Sequence, residues 1–108
     1  MEKLFAVCWG QSIYEREDDK VNAFSGLQGI YTSLATAQKA LVNLKDEFYD
    51  KIINDLGDNE EEATKIKTTT YVNGSVEKGY FEIGSTSNKT LIEVYIQLAE
   101  KEIVDILL

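Results

Sequence analysis

The sequence contains no histidine and no proline, and it has a single cysteine, Cys8. Without an imidazole, Ser-His-Asp catalysis, Cys-His catalysis and any histidine-bound metal site are excluded. Without proline, one common marker of a linker between domains is missing. One cysteine cannot form an internal disulfide, and on a central strand we expect Cys8 to be a small core hydrophobe rather than a nucleophile.

Other absences narrow the classes of function further. The first nine residues hold a short apolar run without a cleavage site, so we expect no signal peptide, and no run reaches transmembrane length. The glycines form no phosphate-binding array, and residues 55–66 lack the spacing of a calcium loop. We therefore expect a cytoplasmic protein that is not an enzyme and has no cofactor and no metal.

The charge is unevenly balanced, with 19 acidic against 11 basic residues and a formal net charge of −8. A negative field repels phosphate backbones and anionic lipid head groups, so direct binding to nucleic acid or to a membrane is disfavoured. A basic protein surface would instead be attracted. The alternative is that the negative charge only keeps a small protein soluble.

With 108 residues, the chain is expected to form a single α+β domain over residues 1–108. Apolar residues recur at helical spacing from Leu34 to Leu56, with Thr32 or Ser33 available as the N-cap and Gly57 as the end. The predicted fold is one long helix packed on a small antiparallel sheet, in the order β-β-α-β-hairpin-β. The helix stripe facing that sheet is predicted to be Leu34, Ala37, Leu41, Leu44, Phe48, Ile52 and Leu56.

The strands are predicted from alternation and from turn residues. Residues 3–9 predict a central strand with apolar groups on both faces, followed by a charged loop and a short strand over residues 28–32. Asn73-Gly74 predicts a two-residue hairpin turn. In that hairpin Ile66, Val72, Phe81 and Ile83 face the core, and Tyr71, Val76 and Tyr80 lie on the opposite face.

The last segment admits two interpretations. Alternation over residues 91–98 favours a strand, whereas Thr90 with Glu93 resembles a helical capping box. We take the strand, and leave residues 100–108 as a short helix or a further strand.

Residues 29–41 resemble the strand-to-helix junction of small uncharacterised α+β proteins of phages and mobile elements. In general character, the small acidic chain also resembles phage inhibitors of host defence, including anti-CRISPR proteins that occupy nucleic-acid-binding grooves. The resemblance implies an inhibitory binding protein in the host cytoplasm, and it assigns no individual residue.

Two functional hypotheses follow. The first is a non-enzymatic acidic protein that inhibits a host nucleic-acid-binding or defence protein by occupying its basic surface. The second is a self-associating module, a possible homodimer, that binds a small ligand between subunits through the tyrosine-bearing sheet face. An alternative for that face is that the N-terminal loop or the C-terminal segment covers it. The candidate partner-binding residues are Asp50, Asp55, Asp58, Glu60, Glu61, Glu62, Tyr71 and Tyr80.

Overall fold

One helix packs on a five-stranded antiparallel sheet, so the α+β class and the single long helix are confirmed. The structure, a computed structural model, describes residues 3–56, 69–87 and 90–102, with residues 55 and 56 described by their helical backbone alone. The strand order is β2-β1-β5-β4-β3. The elements are β1 (Lys3–Glu15), β2 (Lys20–Tyr31), α1 (Leu34–Leu56), β3 (Thr70–Ser75), β4 (Tyr80–Thr86) and β5 (Thr90–Glu102).

Helix α1 has the bounds that the sequence predicts. Ser33 is its N-cap: the Thr36 N–H donates to Ser33 Oγ at 3.4 Å, and the Ala37 N–H donates to the Ser33 carbonyl at 3.0 Å. Leu41 and Ile52 are buried as predicted, whereas Leu34, at the first position, is 46% exposed. The proposed end at Gly57 lies outside the described residues.

The first hairpin is longer than predicted. Strand β1 continues through Gly10 to Glu15, and β2 begins at Lys20, so only residues 16–19 turn and the predicted long loop is wrong. The reason is that β1 pairs along its length with β2 on one side and β5 on the other, and this outweighs the weak strand propensity of Gly10. Asp19 adopts the left-handed conformation in the turn, at a φ of 48°.

The second hairpin turns at a different place from the predicted one. Asn73 and Gly74 lie inside β3, opposite Glu82 and Phe81, so the predicted two-residue turn is wrong. The chain turns over residues 76–79 because Gly79, at a φ of 76°, donates its N–H to the Ser75 carbonyl at 3.1 Å. The turn moves from between residues 73 and 74 to between residues 77 and 78, an even shift, so Tyr71, Val72, Tyr80, Phe81 and Ile83, which are still paired in the hairpin, keep their predicted faces.

The core lies between α1 and one face of the sheet. Its buried apolar side chains come from the helix and from the three strands β1, β4 and β5, and burying each valine, leucine, isoleucine or phenylalanine among them stabilises the fold by about 1.5–3 kcal/mol. They are Phe5, Val7, Ala37, Ala40, Leu41, Ile52, Ile53, Phe81, Ile83, Ile92, Val94 and Ile96. Strand β5, at the centre of the sheet, confirms the strand predicted over residues 91–98 and extends it to Glu102.

Three residues depart from their predicted environments. Val72 points to the helix side but is 40% exposed, because β3 is an edge strand. Val76 lies in the turn and packs against the core rather than on the opposite face. Cys8 is exposed and is not a core residue, because alternation along β1 places its side chain on the other face of the sheet from that of Val7. Ile66 lies outside the described residues.

Candidate functional site

The sheet face directed away from α1 is the candidate site, and we call it the open face. In the described ranges, the helix contacts only the other face, and no further element packs on this one. Two adjacent rows of cross-strand partners cross its middle. One row is Tyr71, Gly84, Glu93, Ser12 and Ala23, and the other is Asn73, Glu82, Tyr95, Gly10 and Ser25.

Large apolar and aromatic side chains project from the open face. Val21, Leu27 and Ile30 are more than half exposed on β2, at 61%, 57% and 54%. On the same face, Tyr71 on β3 and Tyr95 on β5 are 50% and 42% exposed. Single exposed apolar residues need no explanation, but a group of them on one sheet face is typical of an interaction surface.

Three tyrosines lie on the open face, one on each of β3, β4 and β5. The rings of Tyr80 and Tyr95 are stacked, with centroids 5.8 Å apart and planes inclined by 20°. The Tyr71 ring lies over Gly84, whose missing side chain leaves the space for it. This confirms that Tyr71 and Tyr80 share the face opposite the core. Tyr95 was missed, although the alternation of Ile92, Val94 and Ile96 predicts it there.

Two carboxylates lie among the tyrosines. Glu82 is the direct partner of Tyr95, and Glu93 is the direct partner of Gly84. Glu82 and Glu93 are therefore diagonal neighbours, a relationship that separates residues on adjacent strands by about 7–8 Å. Within the described part of the chain, the ion pairs are Lys3–Glu100 and Lys45–Asp46, so neither Glu82 nor Glu93 is neutralised by a described lysine or arginine.

A hollow opens beside these groups. Its volume is about 520 Å³, and its floor includes Gly10, Ser12 and Ala23. Tyr71, Tyr95, Glu82 and Glu93 also line it. A Cβ atom added to Gly10 would meet no other atom within 4 Å, so the space above this glycine is empty.

The structure separates the candidate residues. Tyr71 and Tyr80 lie on the open face, whereas Asp50 is exposed on α1, in the other layer of the fold. These residues therefore do not form one continuous surface. The remaining candidates are Asp55, whose side chain lies outside the described part of the structure, and Asp58, Glu60, Glu61 and Glu62, which lie outside it entirely.

A hydrogen bond joins the two ends of the first hairpin turn. The Tyr14 hydroxyl donates to the Asp19 carboxylate at 2.8 Å. This bond is the main reason that the pKa of Tyr14 is raised above its ordinary value of 10.0, with partial desolvation adding to it and Arg16 opposing it.

A second groove lies on the helix side, where Trp9, Ile13, Phe24, Phe48 and Ile92 form much of its lining. Trp9 and Phe48 are in ring contact there, with centroids 5.4 Å apart. The groove is the margin of the core, and of the charged side chains only Glu15 and Lys51 line it. It offers apolar area with a single carboxylate, that of Glu15, and the Lys51 side chain also lines it.

Among residues 3–56, 69–87 and 90–102, no group of three or more cysteine, aspartate or glutamate side chains is arranged to hold a metal ion. No helix in the same ranges combines the length and the apolar character needed to cross a membrane.

Comparison with known proteins gave no relative. No protein-family model matches the sequence, and neither a curated protein nor a solved structure is similar to it. The chain is defined by its fold, an α+β protein with one helix on a five-stranded antiparallel sheet.

Proposed function

We propose that this chain is a non-enzymatic binding protein whose open face contacts a basic surface of another protein. The observation that carries the proposal is the position of Glu82 and Glu93, two carboxylates without a described ionic partner, among the exposed rings of Tyr71 and Tyr95. Tyrosine combines a large apolar area with a polar hydroxyl, and it is enriched among the residues that contribute most to protein–protein affinity.

Charge supports a basic protein as the occupant. A net charge of −8 repels nucleic acid and anionic membranes, and it steers a positively charged protein towards the chain at a rate that salt reduces. The open face adds local carboxylates to this long-range field. An unpaired carboxylate on a contact surface favours a partner that supplies the missing cation.

An inhibitory role follows if the partner uses its basic surface to bind nucleic acid. A protein that covers a basic surface competes with nucleic acid for it, so the chain would inhibit a host nucleic-acid-binding or defence protein. Together with the resemblance of residues 29–41, this supports a phage or mobile-element origin and action in the host cytoplasm. Asp50 lies in the helix layer and would contribute to long-range attraction rather than to the contact.

Cys8 provides a direct test because it is the only cysteine and is exposed on the open face. A photo-crosslinker attached to Cys8 would be activated in a lysate of the cell that produces the protein, at low and at high salt. The control carries Cys8→Ser with Asn43→Cys, which moves the same crosslinker to an exposed position on α1.

The proposal expects one basic protein to be captured from position 8, identified by mass spectrometry, and lost as the salt concentration rises. The control position should capture much less of it. Equal capture from both positions, or capture of an acidic protein that is insensitive to salt, would show that the open face is not a surface for a basic partner.

A second candidate function is self-association through the same face, around a small ligand held between subunits. The observation that favours it is the group of exposed apolar residues on β2, Val21, Leu27 and Ile30, which carries no charge. Two copies with a charge of −8 each would repel, so a dimer should strengthen as salt rises. Sedimentation at micromolar concentration separates the two functions, since a strict monomer removes self-association.

A further inference from the structure

We propose that the hollow above Gly10 binds an arginine side chain of the partner protein. This inference rests on the proposed function and names the chemical group that the open face recognises. Its basis is a site in which an empty space, two aromatic rings and two carboxylates without an ionic partner among the described residues coincide.

The hollow exists because small residues meet at the middle of the sheet. Gly10 lies directly between Tyr95 on β5 and Ser25 on β2, and Ser12 lies between Glu93 and Ala23. The larger side chains of Tyr95 and Glu93 stand on the β5 side of these positions, so a side chain entering from the partner can lie against them and reach the backbone of β1. A volume of about 520 Å³ is within the range of about 300–1,000 Å³ that is typical of ligand sites.

The groups beside the hollow suit a guanidinium ion. A cation close to the face of a tyrosine ring is attracted by the ring electrons, and arginine makes this contact more often than lysine. Arginine also offers two parallel N–H donors to a carboxylate, and its planar group can lie flat on a ring. Glu82 and Glu93 supply the carboxylates, and Tyr71 and Tyr95 supply the rings.

Gly10 is the residue that admits the ligand. Because a Cβ at this position meets nothing within 4 Å, Gly10→Val would fit the fold while its side chain occupies the hollow. Valine also favours a strand more than glycine does, so the free energy of unfolding should not fall. A matched control is Ala99→Val, which adds methyl groups to the same face about 13 Å further along β5.

The test uses the whole chain and a defined probe, Nα-acetyl-arginine amide, followed by ¹⁵N–¹H NMR titration. Citrulline amide, which is nearly isosteric but neutral, and lysine amide serve as comparison probes. The proposal expects saturable shifts centred on Gly10, Ser12 and Tyr95, with citrulline binding about ten-fold more weakly. Gly10→Val and Glu93→Gln should each remove most of the shift. Ala99→Val and Glu47→Gln, a charge control on α1, should not.

Three results would overturn the assignment of the hollow. The NMR chemical-shift changes could scatter over the surface, they could be equal for arginine and citrulline, or they could persist in Gly10→Val. This failure is distinguishable from failure of the proposed function. If Cys8 captures a basic protein in a salt-dependent way but the arginine probe does not bind the hollow, the open face remains the contact surface and only the arginine site is wrong.

Discussion

The aromatic ring of Tyr71 lies over Gly84, the residue directly opposite it on β4. A methyl group on residue 84 would overlap atoms of this ring. Gly84 therefore leaves the room in which the Tyr71 ring lies against the sheet, where the ring forms one wall of the hollow. The position of an exposed aromatic residue is thus determined by a glycine on the next strand.

We predict that Gly84→Ala displaces the Tyr71 ring and weakens binding on the open face. The ring is half exposed and can swing into solvent, so the free energy of unfolding should change by less than about 1 kcal/mol. Urea unfolding and partner binding should be measured on Gly84→Ala and on Tyr71→Ala. The two variants should lose similar affinity. A Gly84→Ala protein that binds normally would show that the ring position does not matter.

The assignment of the two sheet faces predicts that two apolar truncations change the free energy of unfolding by very different amounts. Ile96 is fully buried, so Ile96→Ala should lower the free energy of unfolding by about 2–5 kcal/mol. Leu27 is 57% exposed on the open face, so Leu27→Ala should change the free energy of unfolding by less than about 0.5 kcal/mol. Denaturant unfolding of both variants checks this. A large loss for Leu27→Ala would mean that another part of the chain covers the open face.

The position of the second hairpin turn predicts that Asn73 can be replaced by a β-branched residue without loss of stability. Because Asn73 lies inside β3, Asn73→Thr should be neutral or slightly stabilising, as β-branched residues favour strands. In a two-residue turn, the same change would force a β-branched residue into a left-handed conformation at a cost of about 1–2 kcal/mol. Gly79→Ala should be costly instead, since Gly79 has a φ of 76°. Thermal or urea unfolding of both variants distinguishes the two turns.

The hydrogen bond from Tyr14 to Asp19 predicts a pH dependence of stability. Because the pKa of Tyr14 in the folded protein is raised above 10.0, the bond stabilises the fold below about pH 10 and is lost as the pH rises through the raised pKa. The stability advantage over Tyr14→Phe should therefore be constant at neutral pH and disappear in alkali. ¹³C NMR of labelled tyrosines should show Tyr14 titrating late, and earlier in Asp19→Asn. A Tyr14 pKa at or below 10.0 would contradict the hydrogen bond.

The sequence predicts the elements of this fold better than it predicts their connections. The Leu34–Leu56 helix was predicted because its apolar period and its N-cap indicate the same element. The Asn73-Gly74 turn was wrong because Gly79, at a φ of 76°, provides a turn further along the chain, and Asn73 and Gly74 pair with Glu82 and Phe81 inside the hairpin instead. The faces of Tyr71 and Tyr80 survived the error because alternation does not depend on where the turn lies, provided the shift is even.

Only the part of the candidate site that depends on alternation along a strand could be predicted from the sequence. Alternation identifies which residues share the open face, but not that Gly10 and Ser12 lie beside Tyr95 and Glu93, because that needs the register of β1 against β5. The predicted emphasis on acidic residues at the helix end followed charge density along the sequence. Glu82 and Glu93 are only two residues, and they become a site through their position among tyrosines.

The most direct test of the account compares two double variants with equal change in charge. Glu82→Gln with Glu93→Gln removes the carboxylates of the open face, and Glu17→Gln with Glu47→Gln removes two exposed carboxylates elsewhere. Affinity for the protein captured at Cys8 should be measured for both across a range of salt concentrations. We predict at least about ten-fold weaker binding and a flatter salt dependence for the first variant only. Equal affinities for the two double variants would contradict it.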